Sequence, residues 1–331
     1  NAVNETKCVR DLSGSGNDNF VFAPGALLTG TLDGGEGLAD HVDFSAWSSP
    51  VTVDLNMDGA RPLGGRNRNI EHATGGRGND RLTGNARANR LIGGGGDDTL
   101  TGLDGADILI GDHATFRVNS NDLRVIETTE FSTGNDQLVG GGGDDVVMGG
   151  LGDDTINTGN GNNAVVADTG RIVHSSFAIV ELVSGRVNHA GADVITTGSG
   201  NDYLIAGSGN DRITATAGGN NILVADRGAI AFSEGLVVRV DGRGSSLAGA
   251  DHLDVGPGND VLIAGGQTDV IDDAGGNNNI LGDDGTFFFL RGSLAEVRLA
   301  APINDGADVI TTGAGRDLIW AGNGDNTVRG G

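Results

Sequence analysis

A chain of 331 residues ordinarily fills two or three globular domains, but 61 glycines and 4% aromatic residues leave too little bulky apolar side chain for thick packed cores. With 45 acidic against 21 basic residues, Lys7 being the one lysine, the net charge of -24 sets a compact chain against itself unless cations offset it. The same balance excludes nucleic acid as a partner, the lone Cys8 excludes an intrachain disulfide, and no run of about 18 apolar residues offers a membrane span.

Residues 1–74 read as an irregular β cap or as degenerate repeats. SGSGNDNFV surrounds Asp18 and LDGGEGLADHVDFS surrounds Asp40, with strands expected at Phe20–Phe22 and Val51–Leu55. Asp54-x-Asn56-x-Asp58-Gly59 opens like an EF-hand loop, but its twelfth place is Gly65 rather than a bidentate Glu, so it reads as a solvated acidic turn.

From Gly75 a nine-residue unit is strict: GGRGNDRLT, GNARANRLI, GGGGDDTLT, GLDGADILI. Its sixth place holds Asp80, Asn89, Asp98 and Asp107, then Asp136, Asp145, Asp154 and Asn163. Next come Asp193, Asp202, Asp211 and Asn221, then Asp251, Asp260, Asp269 and Asn278, and last Asp308, Asp317 and Asn326. Two residues after each stands Leu, Ile or Val. Glycines at the first, second and fourth places let carbonyls converge in a tight turn, the Asp supplies a hard charged oxygen suited to Ca2+, and the following x-U-x is a short strand with one inward side chain. Turn and strand alternate, so the chain coils.

A longer repeat contains this one. Asp136, Asp193, Asp251 and Asp308 are separated by 57, 58 and 57 residues, four nonapeptides plus an insertion each time. The insertions, at about 112–132, 168–189, 226–247 and 283–304, open on Asp112, Asp168, Asp226 and Asp283 and alternate apolar and polar residues as β-hairpins do, with turns expected at Asn119–Asp122 and Arg291–Ser293. Pairing of successive hairpins into one sheet is expected, with Val118, Ile172, Phe232 and Phe288 on its packed face. No helix is expected anywhere.

The metal ligands predicted are Asp18, Asp80, Asp98, Asp107, Asp136, Asp145, Asp154, Asp193, Asp202, Asp211, Asp251, Asp260, Asp269, Asp308 and Asp317, together with Asp168, Asp226 and Asp283. If two nonapeptides make one turn, Asp80, Asp98, Asp136, Asp154, Asp193, Asp211, Asp251, Asp269 and Asp308 share one edge. The other edge carries Asn89, Asn163, Asn221 and Asn278 among its aspartates, and Asp168, Asp226 and Asp283, five residues past an Asn, are expected to restore charge there. Other chemistry is absent from the motifs. No G-x-G is completed to a dinucleotide fingerprint, no P-loop Lys, H-E-x-x-H or G-x-S-x-G occurs, and the six histidines lack ligand spacing.

The tandem nonapeptides resemble the RTX family of hemolysin-type calcium-binding repeats, strongly over residues 75–331 and loosely over 11–74. That resemblance implies an all-β, calcium-stabilised parallel β-roll carrying the four hairpins, several bound Ca2+ ions, bacterial type I secretion, and folding triggered by calcium outside the cell. The absence of a signal-peptide pattern at Asn1 and the stop at Gly331 within a repeat lead us to expect a segment of a larger secreted protein. The expected function is a non-catalytic structural or adhesive scaffold, such as a stalk, filament or surface-layer segment, with further copies of itself, extracellular polysaccharide or a cell surface as partners beside calcium. Two alternatives stay open: an auxiliary module of an exoenzyme whose catalytic domain lies outside this sequence, and a polysaccharide-binding module.

Overall fold

The computed structural model describes residues 2–3, 11–12, 15–26, 31–56, 66–118, 123–129, 133–175, 178–185, 191–244, 246–301 and 306–331, and every regular element among them is a β-strand. Consecutive nonapeptides enter opposite sheets, so two of them complete one coil of a parallel β-roll. Arg81–Thr83, Thr99–Asp104 and Gln137–Gly142 begin the run in an 11-stranded sheet, and Arg90–Gly94, Ile108–Asp112 and Val146–Met148 do so in a 13-stranded one. The register stacks like on like. Leu82, Leu100, Leu138 and Ile156 pair in one column, and Leu91, Leu109, Val147 and Val165 in the other. These columns are fully buried and form a core only two side chains thick, which is how a glycine-rich, aromatic-poor chain folds at all.

The N-terminal segment enters the same sheets and adds a separate one of three strands, Asp11–Leu12, Thr31–Asp33 and Arg66–Arg68. Asn19–Phe22, His41–Asp43 and His72–Thr74 precede Arg90–Gly94, and Thr52–Asp54 borders Arg81–Thr83. Its lumen is filled by Phe20, Phe22, Phe44 and Leu32, with Phe22 and Phe44 stacked at 4.8 Å and the Trp47 indole donating to the Phe22 carbonyl at 2.9 Å. Of the EF-hand-like stretch, Asp58 and Gly59 lie outside the described residues, as does the turn expected at Asn119–Asp122.

The four insertions form hairpins, Ala114–Val118 with Arg124–Thr128, Gly170–His174 with Ile179–Ser184, Gly228–Ser233 with Leu236–Gly242, and Gly285–Leu290 with Ser293–Leu299. Successive hairpins pair with one another, Ile126 to Ile172, Leu182 to Ile230 and Val240 to Phe287, in one continuous antiparallel sheet of eight strands. The last two turn on Glu234-Gly235 and Arg291-Gly292, all four residues at positive φ, the backbone that two-residue hairpin loops need.

This sheet lies on the outer face of the 13-stranded one. Between them is a second core, in which Ile110, Met148, Val166, Ile205 and Val224 from the roll meet Ile126, Ile172, Leu182, Ile230, Val240 and Phe287 from the hairpins. Two of the expected packing residues are corrected. Val118 is 64% exposed, and Phe288 lies beneath the Arg298 guanidinium, 4.6 Å from its ring centroid, while its neighbour Phe287 takes the buried place. Alternation along a strand has no phase of its own, and Phe287, Phe288 and Phe289 in succession left it unset.

Backbone contact between coils makes particular glycines necessary. Gly143 has φ 134°, and a side-chain carbon there would strike the Gly105 carbonyl of the adjacent coil. Gly143→Ala should therefore cost about 1 to 3 kcal/mol in calcium-loaded protein unfolded by denaturant, whereas Gly292→Ala, with nothing within 4 Å, should cost less. Hydrogen exchange checks the joined sheet: amides of Ala229, Ile230 and Ala231, in a strand paired on both sides, should exchange much more slowly than those of the edge strand Ala114–Val118. Equally fast exchange in all four insertions would contradict the pairing.

Candidate metal centre

Each sixth-place residue sits where a turn enters the next strand, with its side chain folded back into the edge of the roll. On one edge its Oδ1 accepts the backbone N–H of the sixth-place residue one coil earlier. The ladder runs Asp80, Asp98, Asp136, Asp154, Asp193, Asp211, Asp251, Asp269, Asp308 at 2.6 to 3.0 Å and ends on Asn326. The opposite edge runs Asn89, Asp107, Asp145, Asn163, Asp202, Asn221, Asp260, Asn278, Asp317 at 2.6 to 3.0 Å. The structure thus brings the predicted residues together as two rows, as alternate units stacking on one edge require.

One oxygen of each carboxylate is thereby satisfied, and the other is the open question of the site. Oδ2 of Asp98, Asp136, Asp154, Asp193, Asp211, Asp251 and Asp269, and of Asp107, Asp145 and Asp260 on the second edge, is buried without a hydrogen-bond partner. Around it the turn is all oxygen. A side-chain carbon at Gly93 would strike Asp98 Oδ2 and the Gly111 carbonyl of the next coil, and one at Gly111 would strike Asp136 Oδ2 and the Gly149 carbonyl. Among the described residues no three His, Cys, Asp or Glu side chains form one metal-sized cluster, so a cation here would be held by carboxylates together with backbone carbonyls. Hard oxygens without nitrogen or sulfur, at a buried anionic centre, fit Ca2+.

The asparagine turns solve the same problem differently. Asn163 Nδ2 donates to Thr158 Oγ1 at 3.1 Å, to the Gly161 carbonyl at 3.1 Å and to Asp202 Oδ1 at 2.9 Å. Asn278 Nδ2 reaches Asp273 at 2.9 Å and Asp317 at 3.1 Å. An amide fills its turn with its own N–H groups and needs no cation.

The insertion aspartates correct the sequence reading. Asp168, Asp226 and Asp283 do not lie on the Asn-bearing edge: Asp168 faces Asp154, Asp193 and Asp211, Asp226 faces Asp211, Asp251 and Asp269, and Asp283 faces Asp269. Five residues past Asn163 the chain has already crossed the roll through the strand Ala164–Val166, so these side chains join the all-Asp row and deepen its charge. Each accepts an N–H from the next coil, Asp168 from Ser208 at 2.7 Å, Asp226 from Gly266 at 2.7 Å and Asp283 from Asn323 at 2.6 Å. Asp112, which opens the first insertion but was not among the predicted ligands, does the same with Leu151 at 2.7 Å.

Asp18 begins the second row at its N-terminal end, its N–H donating to Asp40 Oδ1 at 2.7 Å, and the Asp40 N–H donates in turn to Glu71 Oε2 at 3.1 Å. Glu71 escaped the sequence reading although the signal was there, nine residues before Asp80 and two before the buried Ala73. Its other oxygen takes the Arg87 guanidinium at 2.8 Å, so an arginine does at this coil what a cation would do elsewhere.

The largest shifts fall on the all-Asp row, although Asp136 and Asp211 in it rise only to about 7. Burial, reinforced by Asp136, Asp80 and Asp112, pushes Asp98 up to about 9, and burial reinforced by Asp211, Asp226 and Asp269 pushes Asp251 up to about 10. On the Asn-bearing edge burial raises Asp107 only to about 6 and Asp145 and Asp260 to about 7. A carboxyl whose folded pKa is raised keeps a proton that the unfolded chain loses above about 4, so metal-free protein loses stability as pH climbs from there through 6 to 10. Metal-free protein should accordingly show more β structure by circular dichroism near pH 4.5 than at pH 8 (about 4.5 and 8 bracket most of the window). Calcium affinity should run the other way and rise with pH, since the ion displaces protons. A metal-free spectrum unchanged between these conditions would count against a proton in place of the ion.

No curated protein matches the chain. A family model described as the RTX calcium-binding nonapeptide repeat (4 copies) matches residues 74–109, 132–165, 189–222, 246–280 and 303–331, just over half of the chain. The matched stretches are the coils, and the eight hairpin strands fall in the gaps between them. With its unpaired carboxylate oxygens set at the sixth place of each turn, the chain belongs to the family of RTX calcium-binding nonapeptide repeats.

Proposed function

We propose that this chain is a non-catalytic extracellular scaffold, a stalk or filament segment that calcium makes rigid. The repeats make it a calcium-binding structural module of the kind that secreted bacterial proteins carry. The observation behind the proposal is the all-Asp row, whose bare buried oxygens ask for a cation at coil after coil from Asp98 to Asp269, with Asp107, Asp145 and Asp260 adding to that demand on the opposite edge. A fold that depends on many carboxylate and carbonyl oxygen sites suits the calcium-rich exterior rather than the cytosol, which agrees with export of an unfolded chain by a type I system. Thirteen parallel strands at about 4.8 Å make a rod roughly 60 Å long, and the hairpin sheet braces one side of it.

Circular dichroism in excess EGTA and then in calcium tests the dependence: coil should convert to β structure on adding the ion, and a chain already rich in β structure with chelator would defeat the proposal. Incubation with polyuronates and neutral glycans separates the other readings. Turnover would favour an exoenzyme, saturable glycan binding would favour a recognition module, and neither is expected of a scaffold.

A further inference from the structure

The second core does not close along its full width. At the Asn-bearing edge the first three hairpins stand off the 13-stranded sheet and leave a groove of about 1110 Å³, ample for an elongated small molecule. Its floor is one register row, His72, Arg90, Ile108, Val146, Ala164 and Tyr203, one residue per coil. At about 4.8 Å per coil the floor runs roughly 24 Å.

The row changes character along its length. It is basic at one end, aliphatic through the middle, and aromatic at the far end, where Tyr203 meets Phe232 of the third hairpin edge-on with centroids 4.9 Å apart. From the hairpin side Val118 and Ile179 extend the apolar lining and Arg124 adds a second guanidinium near the basic end.

Arg90 is the residue that asks for a ligand. Its guanidinium lies 4.8 Å from the Phe116 ring centroid and its Nε is buried without an acceptor. Arg87, Arg117, Arg171, Arg243 and Arg298 each pair with a carboxylate, whereas Arg90 has no ion-pair partner among the described residues. Arg239 Nε too is buried without an acceptor, but of the two only Arg90 lines the groove. His72 beside it contributes no second cation, since burial and then Arg90 hold it below its ordinary value. The acids at the rim give an oxygen each to the turns, Asp107 accepting from the Asn89 N–H, Asp145 from that of Asp107 and Asp144 from that of Asn162, and the second oxygen of Asp107 and of Asp145 lies inside its own turn, against Gly102 and Gly140.

We infer that this groove binds a single-chain anionic amphiphile, its head on Arg90 and Arg124 and its chain over Ile108, Val146 and Ala164 toward Tyr203. An acidic sugar would suit the guanidinium groups, but the middle of the floor, Ile108, Val146 and Ala164, offers it no hydrogen-bonding side chain, whereas burial of an alkyl chain there is favourable. The head contributes a charge-assisted pair in a partly desolvated setting, so both ends matter.

Isothermal titration of the full chain in calcium with octanesulfonate, kept below its micelle concentration, tests the site. One saturable site is expected, weakened about tenfold or more by Arg90→Ala and by Tyr203→Ala, and octyl glucoside, with the same chain and a neutral head, should bind at least about tenfold more weakly. Circular dichroism in calcium checks that each variant folds. Should Arg90→Ala fail to fold, Arg124→Glu, at an exposed position near the tip of the first hairpin, must produce the same loss. Absence of binding, equal binding of octyl glucoside, binding undiminished in the arginine variants, or displacement of octanesulfonate by a tetra-uronate of equal or higher affinity would each overturn the assignment.

Discussion

A buried carboxylate with one oxygen bonded and the other bare is the condition on which the roll rests. The bonded oxygen fixes one coil to the next through a backbone N–H, as in Asp98 to Asp80 and Asp136 to Asp98. The bare oxygen carries charge into a place where an uncompensated ion costs several kcal/mol, with another carboxylate one coil away. Three remedies are visible in this chain. Aspartate turns require a proton or a cation, asparagine turns such as Asn163 supply their own N–H groups, and Glu71 receives Arg87. Where the first remedy dominates, along the all-Asp edge, the carboxyl pKa values climb furthest.

That same edge roots the hairpins. Asp112, Asp168, Asp226 and Asp283 each bind a backbone N–H of the following coil at the base of an insertion, so the second sheet hangs from the row with the strongest demand for cations. Strain or disorder in that row would pass directly into the hairpin bases. The Asn-bearing edge, where the hairpin tips lie, is the less charged one, and there the two sheets part to form the groove.

Much of this was legible because it is local and tandem. The nine-residue grid names both the turn carboxylate and the inward side chain, and the recurrence of 57 residues marks the insertions. The edge of Asp168, Asp226 and Asp283 was misread because distance along the chain was counted without the strand that carries it across the roll. The face covered by hairpins could have been read from the residues flanking each core position. ILI, VVM, YLI and VLI, in the 13-stranded sheet, are apolar or aromatic on both faces, whereas RLT, TLT, TIN and HLD, in the other, are polar outside. The phase of the fourth hairpin was not readable at all, since three successive phenylalanines satisfy either face.

The coils and the hairpins keep step because their advances are equal. A super-repeat adds two coils to the roll and two strands to the hairpin sheet, and both advance by about 9.6 Å, which is why each junction pairs equivalent apolar residues, Ile126 with Ile172, Leu182 with Ile230, Val240 with Phe287. An insertion of one or three strands would fall out of step within a single repeat. A coil without a hairpin must instead present a polar outer face, and the N-terminal coils do so: His41, Asp43, His72 and Thr74 stand where later coils place Ile108, Ile110, Val146 and Met148. The change falls within one strand, between Arg90, which is half-buried, and Ile92, which is buried in the second core. The cationic end of the groove is therefore the boundary between bare and covered roll, where a basic side chain reaches apolar surface and water together.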